Sequence, residues 1–206
     1  MMLGKYKYTA DLQTDQSVCP MTKQRIRDTA FSLFSTHSYK GVSMEQIAKT
    51  AGVSKGGVFH YYPSKYDLAM DCLINRFEQM GTKDTPANLT KEEARTYARE
   101  LISLYIDFIK DNPMTMNFFL ELYQIAIDKN DTQIWEEFYE RFVQQISVLM
   151  EMCGIENPRT KAILLMATLD AVGLQSIILP NSSFQWDELK GEIFQVYIEN
   201  NLKGVD

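Results

Sequence analysis

Between Ser43 and Leu68 the chain packs three helix starts and two helix stops into one short run, SMEQIAKTAGVSKGGVFHYYPSKYDL. Ser43 with Gln46, and Ser64 with Asp67, have the spacing of a reciprocal capping box. Ser54 is a further N-cap residue. Gly52 supplies the left-handed residue that ends the first of these helices. Pro63 stops the second, because the residue before a proline is pushed out of the helical region. Helices this short are marginal on their own, so these must be held by packing. Ala48 is small where two helices must approach, and Ile47, Val53 and Val58 form an apolar wedge between them. Two short capped helices meeting at a glycine turn make a helix-turn-helix. The second, over 55–62, is roughly 12 Å long at about 1.5 Å per residue, enough to lie in a major groove about 12 Å wide.

The rest of the chain reads the same way. A first helix runs from Thr22, as N-cap, to about Ser38, with Ile26, Ala30, Leu33 and Phe34 on one face. A fourth runs from Ser64 to about Gly81, before the Gly/Pro/Asn-rich loop 81–89. Later helices are expected from Thr90, capped with Glu93, to Lys110, then from Pro113 to the DKND stretch at 128–131. Three more are expected: to Cys153, ended by Gly154; from Pro158 to Pro180; and from Phe184 to Leu202. No run alternates like a strand, and no internal repeat is present. The expected fold is all-α: an extension over 1–20, a three-helix head over 21–66, and a larger helical body over 67–206.

Composition narrows the function classes. No basic segment followed by an apolar one opens the chain, which argues against a signal peptide. Cys19, Cys72 and Cys153 are odd in number and far apart, which fits a reducing cytoplasm. His37 and His60 are the only histidines, and no CxxC is present, so no metal site or cofactor is expected. Nor is there a catalytic triad order or phosphate loop, which argues against an enzyme. The net charge of −6 is unevenly spread. Residues 21–80 carry eight basic and five acidic side chains, whereas 81–206 carry eleven and twenty. A basic head on an acidic body suits binding of double-stranded DNA through the head alone.

In the head, Gly56 and Gly57 keep the leading end of the 55–62 helix bare, so its backbone and N–H groups can approach phosphate. Lys55 can reach guanine or phosphate, Phe59 a thymine methyl, and His60 and Tyr61 phosphates or bases. Lys65 can grip the DNA backbone, and the Ser43 and Ser54 caps can also touch phosphate. Tyr62 is read as core rather than contact. The run from Ile26 to Leu68, with its IAKTAGVSKGG and YYPSKYDL segments, resembles the DNA-binding domain of the TetR family of transcriptional regulators. The resemblance implies a homodimer on a near-palindromic operator, with Lys55, Gly56, Phe59, His60, Tyr61 and Lys65 at DNA-contacting positions. Two departures stand out: Phe59 replaces the family's usual tyrosine, and Glu45 stands where some members carry a basic residue that reads a base.

In the body, 162–179 (AILLMATLDAVGLQSIIL) is apolar nearly all round and long enough for a membrane span. Asp170 and Gln175 interrupt it, and no aromatic belt or positive flank frames it, so no membrane is expected. It is instead expected to bury one face in its own body and the other against a partner. With the last helix it would form a dimer four-helix bundle, as the resemblance also implies. The helices from 97 to 150 are rich in aromatic and methionine side chains, which line adaptable pockets as well as cores. Tyr105, Phe108, Phe119, Tyr123, Phe142 and Met166 are expected to line a cavity, with Asp170 as polar anchor or as a paired interface carboxylate. The expected activity is repression relieved by a lipophilic small-molecule effector, such as a fatty-acyl compound or a lipophilic cation. The rivals are a helix-turn-helix protein without an effector and an activator.

Overall fold

The computed structural model describes residues 19–79, 86 and 88–201. The expected extension, apart from its last two residues, and most of the 81–89 loop lie outside the described residues. Nine α-helices and short 3₁₀ turns are present among the described residues, with no β-strand. The head contains α1 (Pro20–Gly41), α2 (Met44–Ala51) and α3 (Lys55–Tyr61), and α4 (Lys65–Phe77) leads out of it. The body follows with α5 (Lys91–Asp111), α6 (Pro113–Asp128), α7 (Gln133–Met152), α8 (Pro158–Ile178) and α9 (Trp186–Tyr197).

The caps act locally, and most behave as their residue types require. The hydroxyls of Ser43, Ser54 and Ser64 accept the amides of Gln46, Gly57 and Asp67 at 2.9–3.1 Å. Ser64 also donates to the Asp67 carboxylate at 2.6 Å. Thr90 and Glu93 form the full reciprocal box. The first helix starts earlier than expected. Pro20 occupies its first position, where a missing N–H is harmless, and the Thr22 amide bonds to Cys19 O at 2.9 Å. Ser38 leaves the helical region at φ 63°, ψ 162°, and the chain then makes one more turn to Gly41. Glu121 of α6 holds this kink by accepting the Tyr39 amide at 2.6 Å. The last helix is shorter than expected, ending at Tyr197.

Gly52 ends α2 at φ 66°, ψ 37°, with its amide shared between Ala48 O and Lys49 O. A Cβ built there meets nothing within 4 Å, so only the backbone opposes substitution. Gly52→Ala is therefore expected to lower stability by about 1 kcal/mol: left-handed strain of about 1–2 kcal/mol, partly offset by lost freedom in the unfolded chain. Urea denaturation with an unchanged slope would measure it.

Two apolar clusters hold the molecule. The first joins the head core (Ile26, Phe34, Ile47, Val58, Leu68) to the aromatic interior of α6 and α7. Phe34 stacks on Phe118 at 5.0 Å across this junction. The second cluster joins α5, the end of α7, α8 and α9 through Ile106, Met150, Ala162, Ile193 and Phe194. One face of α8 is buried by Ala162, Leu165, Leu169 and Val172. Its other face leaves Ile163, Leu164, Leu174 and Ile178 between 43% and 72% exposed. Helix α8 is the one helix among the described residues long and apolar enough to cross a bilayer by length and composition.

Candidate nucleic-acid interface and buried cavity

The head presents most of the expected contact residues on one open face. Ser43, Ser54, Lys55, Gly56, Phe59 and His60 are exposed, and Gly57 and Tyr61 are half-buried. Gly57 has a reason beyond DNA. Its amide is taken by the Ser54 hydroxyl, and an added Cβ would lie only 3.2 Å from that oxygen. The open donors at the α3 start are thus the amides before Gly57. Tyr62 is buried and donates to Asp71 at 2.6 Å, as core.

Two basic residues sit differently from a free phosphate contact. Lys65 donates to Tyr39 O and Val42 O, both at 2.9 Å, and stands 4.1 Å above the Tyr39 ring. It staples the start of α4 to the end of α1 with two of its three donors. Burial pulls its pKa down and nearby Glu121 pulls it up. The Lys55 ammonium lies 3.9 Å from the Glu45 carboxylate, both well exposed. The off-pattern Glu45 is thereby a local competitor for the residue best placed to read DNA.

Behind the head lies a cavity of about 90 Å³ between α4, α5, α7 and α8. Tyr105, Phe119, Phe142, Met166 and Asp170 line it as expected. Phe108 and Tyr123 do not. Phe108 turns toward the Arg76 guanidinium, 4.9 Å from its ring, and Tyr123 is 40% exposed and packs edge-on against Trp135 from outside. Phe77, Phe138 and Tyr139 take part in the wall instead. Aromatic spacing reveals a helix's apolar face but not how far that face turns toward a neighbouring helix. Tyr139, 31 positions before Asp170, donates to its carboxylate at 2.9 Å, a pairing with no signal in the sequence.

Asp170 is a cavity residue. Burial raises its pKa, and the Tyr139 hydrogen bond only partly counters this. Burial and Asp170's charge likewise push the Tyr105 and Tyr139 hydroxyls up. A carboxyl whose folded pKa is raised binds its proton more tightly when folded, so its stabilising effect is lost as pH rises through that folded pKa. Asp170→Asn keeps an acceptor for Tyr139 and removes the buried charge. It is expected to raise the melting temperature at pH 7–8, with the gain vanishing near pH 4, as a pH series of thermal melts would show.

Residues 26–72 match the family model for bacterial regulatory proteins of the tetR family. The nucleoid occlusion factor SlmA of Haemophilus ducreyi is 31% identical over 93 residues, 44% of this chain and 46% of that protein. The transcriptional repressor KstR of Rhodococcus jostii is 33% identical over 61 residues, 30% of this chain and 29% of that protein. The chain thus matches less than half the length of these relatives. The crystal structure of a transcriptional regulator from Rhodococcus sp. Rha1 shares the fold over 87% of this chain and 95% of its own, with a TM-score of 0.66 and 17% identity. The head, over residues 26–72, thus carries the tetR-family DNA-binding motif, and the helical body behind it shares its fold with that regulator.

Proposed function

We propose that the protein is a homodimeric transcriptional repressor that holds a near-palindromic operator through α3 and leaves it when a lipophilic small molecule fills the cavity. The observation that carries this reading is the open face of α3, where Lys55, Gly56, Phe59 and His60 stand exposed at the end of a short, doubly capped turn. KstR, similar over 30% of this chain, is named a repressor, which supports that direction of control. The dimer uses the exposed apolar stripe of α8 with Val196 of α9, side chains of the kind that mark an interface. Thr168 and Tyr197, in hydrogen bond at 2.6 Å, join the two helices into one surface.

Helix α4 is the transmitter in this reading. Its first turn is stapled to the head by Lys65, and Phe77 at its other end lies in the cavity wall. A ligand that binds better to one arrangement of α4 shifts the population toward it.

Paired head variants test the DNA half. Lys55→Ala is expected to weaken operator binding about 10- to 100-fold, with relaxed preference at one base position. Glu45→Gln removes both a competitor for Lys55 and a like charge facing phosphate, and is expected to strengthen binding a few-fold, within the range of an exposed ion pair. Fluorescence anisotropy at fixed salt reads both. Unchanged affinity in both variants would remove α3 as the reading helix.

A further inference from the structure

The cavity wall is chemically lopsided. Phe77, Tyr105, Phe119, Phe138, Tyr139 and Phe142 surround it with ring surface, and among the described residues Asp170 is its one carboxylate. No lysine, arginine or histidine stands on the wall among the described residues. Tyr139 donates to Oδ2 of Asp170. Each ligand class meets this wall differently. A carboxylate or phosphate head would lose its water, find no cation and face Asp170 at close range. A neutral hydrocarbon would displace water from the Asp170 carboxylate and bring no charge to replace it. A lipophilic cation would neutralise Asp170 and lie against ring faces, which attract positive charge most when desolvated.

We propose that the cavity selects a lipophilic monocation, a quaternary or protonated amine carried on an apolar group, with Asp170 as its counter-ion and the surrounding rings as its cage. This rests on reading the cavity as the effector site. The cavity's volume of about 90 Å³ is smaller than the roughly 150 Å³ that takes up benzene in an engineered core. Binding must therefore move the wall. Met150 and Met166 are the adaptable side chains there. Phe77 ties the wall to α4, so the same movement reaches the head.

Isothermal titration of the full chain with three matched probes tests the proposal. Phenyltrimethylammonium and tert-butylbenzene share size and shape and differ in charge, and 3-phenylpropionate supplies the opposite charge. The expected result is binding of the cation at least about tenfold tighter than the hydrocarbon, and no binding of the carboxylate. Asp170→Asn is expected to erase that preference by weakening the cation and tightening the hydrocarbon, and Asp170→Glu to restore part of it. Equal binding of cation and hydrocarbon, or an unchanged preference in Asp170→Asn, overturns the cation assignment and leaves the cavity as a ligand site. Tighter binding of the carboxylate overturns it too. Absence of binding by all three probes overturns both the cation and the cavity.

Discussion

A Leu164→Glu/Leu174→Glu double variant is expected to run as a monomer in sedimentation and to lose at least about 100-fold in operator affinity, with its helical content unchanged. Both leucines are more than 40% exposed in the single chain, so charging them removes little from the protomer's own core. In a dimer their stripe, with Ile163 and Ile178, would meet its own copy across a two-fold axis. Carboxylates on both copies would then be buried facing like charge. The loss in DNA binding follows from linkage. Two heads joined rigidly engage two half-sites with a gain of about 10²–10⁴ over one head alone, and a monomer forfeits it. A double variant that stays dimeric would move the interface off α8.

Trp135→Ala is expected to lower stability by about 3–5 kcal/mol, the usual range for emptying a large aromatic site. Trp135 is 2% exposed. Its ring stands edge-on to Phe119 at 4.8 Å and packs near Phe138 at 5.8 Å, and both of those line the cavity. Its indole N–H donates to the Tyr66 hydroxyl at 3.3 Å, one residue beyond the Lys65 staple. Trp135 thus ties the cavity wall to the start of α4. Trp135→Phe keeps most of the volume and removes that hydrogen bond, for a loss of about 1–2 kcal/mol. It is expected to bind operator normally and respond more weakly to effector. Chemical denaturation separates the two variants, and operator titration with and without ligand reads the coupling. A Trp135→Ala loss below about 1 kcal/mol would contradict the packing described here.

The parts of this molecule that read directly from sequence are those decided within four residues. Gly52, Ser54 and Pro63 end or start helices through their own backbone and nearest amides, so α2 and α3 emerge at nearly their observed bounds. Pro20 shifts the start of α1 by the same kind of local rule, which the threonine at 22 obscured. Contacts between distant segments are another matter. Lys65 looks like a DNA clamp beside its serine cap, and nothing nearby in sequence shows that Tyr39 O and Val42 O, more than 20 positions away, take two of its three donors. Glu121 holds the Ser38 kink from 82 positions away, with no spacing to announce it. In the cavity, the periodicity that marks Phe119 and Phe142 as inward also marks Phe108 and Tyr123. Only the rotation of each helix against its neighbours separates them.

The proposed reading of a symmetric DNA sequence by a dimer through α3 is tested by selecting bound fragments from a random DNA pool with the purified protein and sequencing them. The expected result is enrichment of an inverted repeat whose half-site centres lie about one helical turn apart or a multiple of it, with enrichment much reduced for Lys55→Ala. A pool with no enriched sequence, or one with an enriched sequence lacking two-fold symmetry, would contradict it.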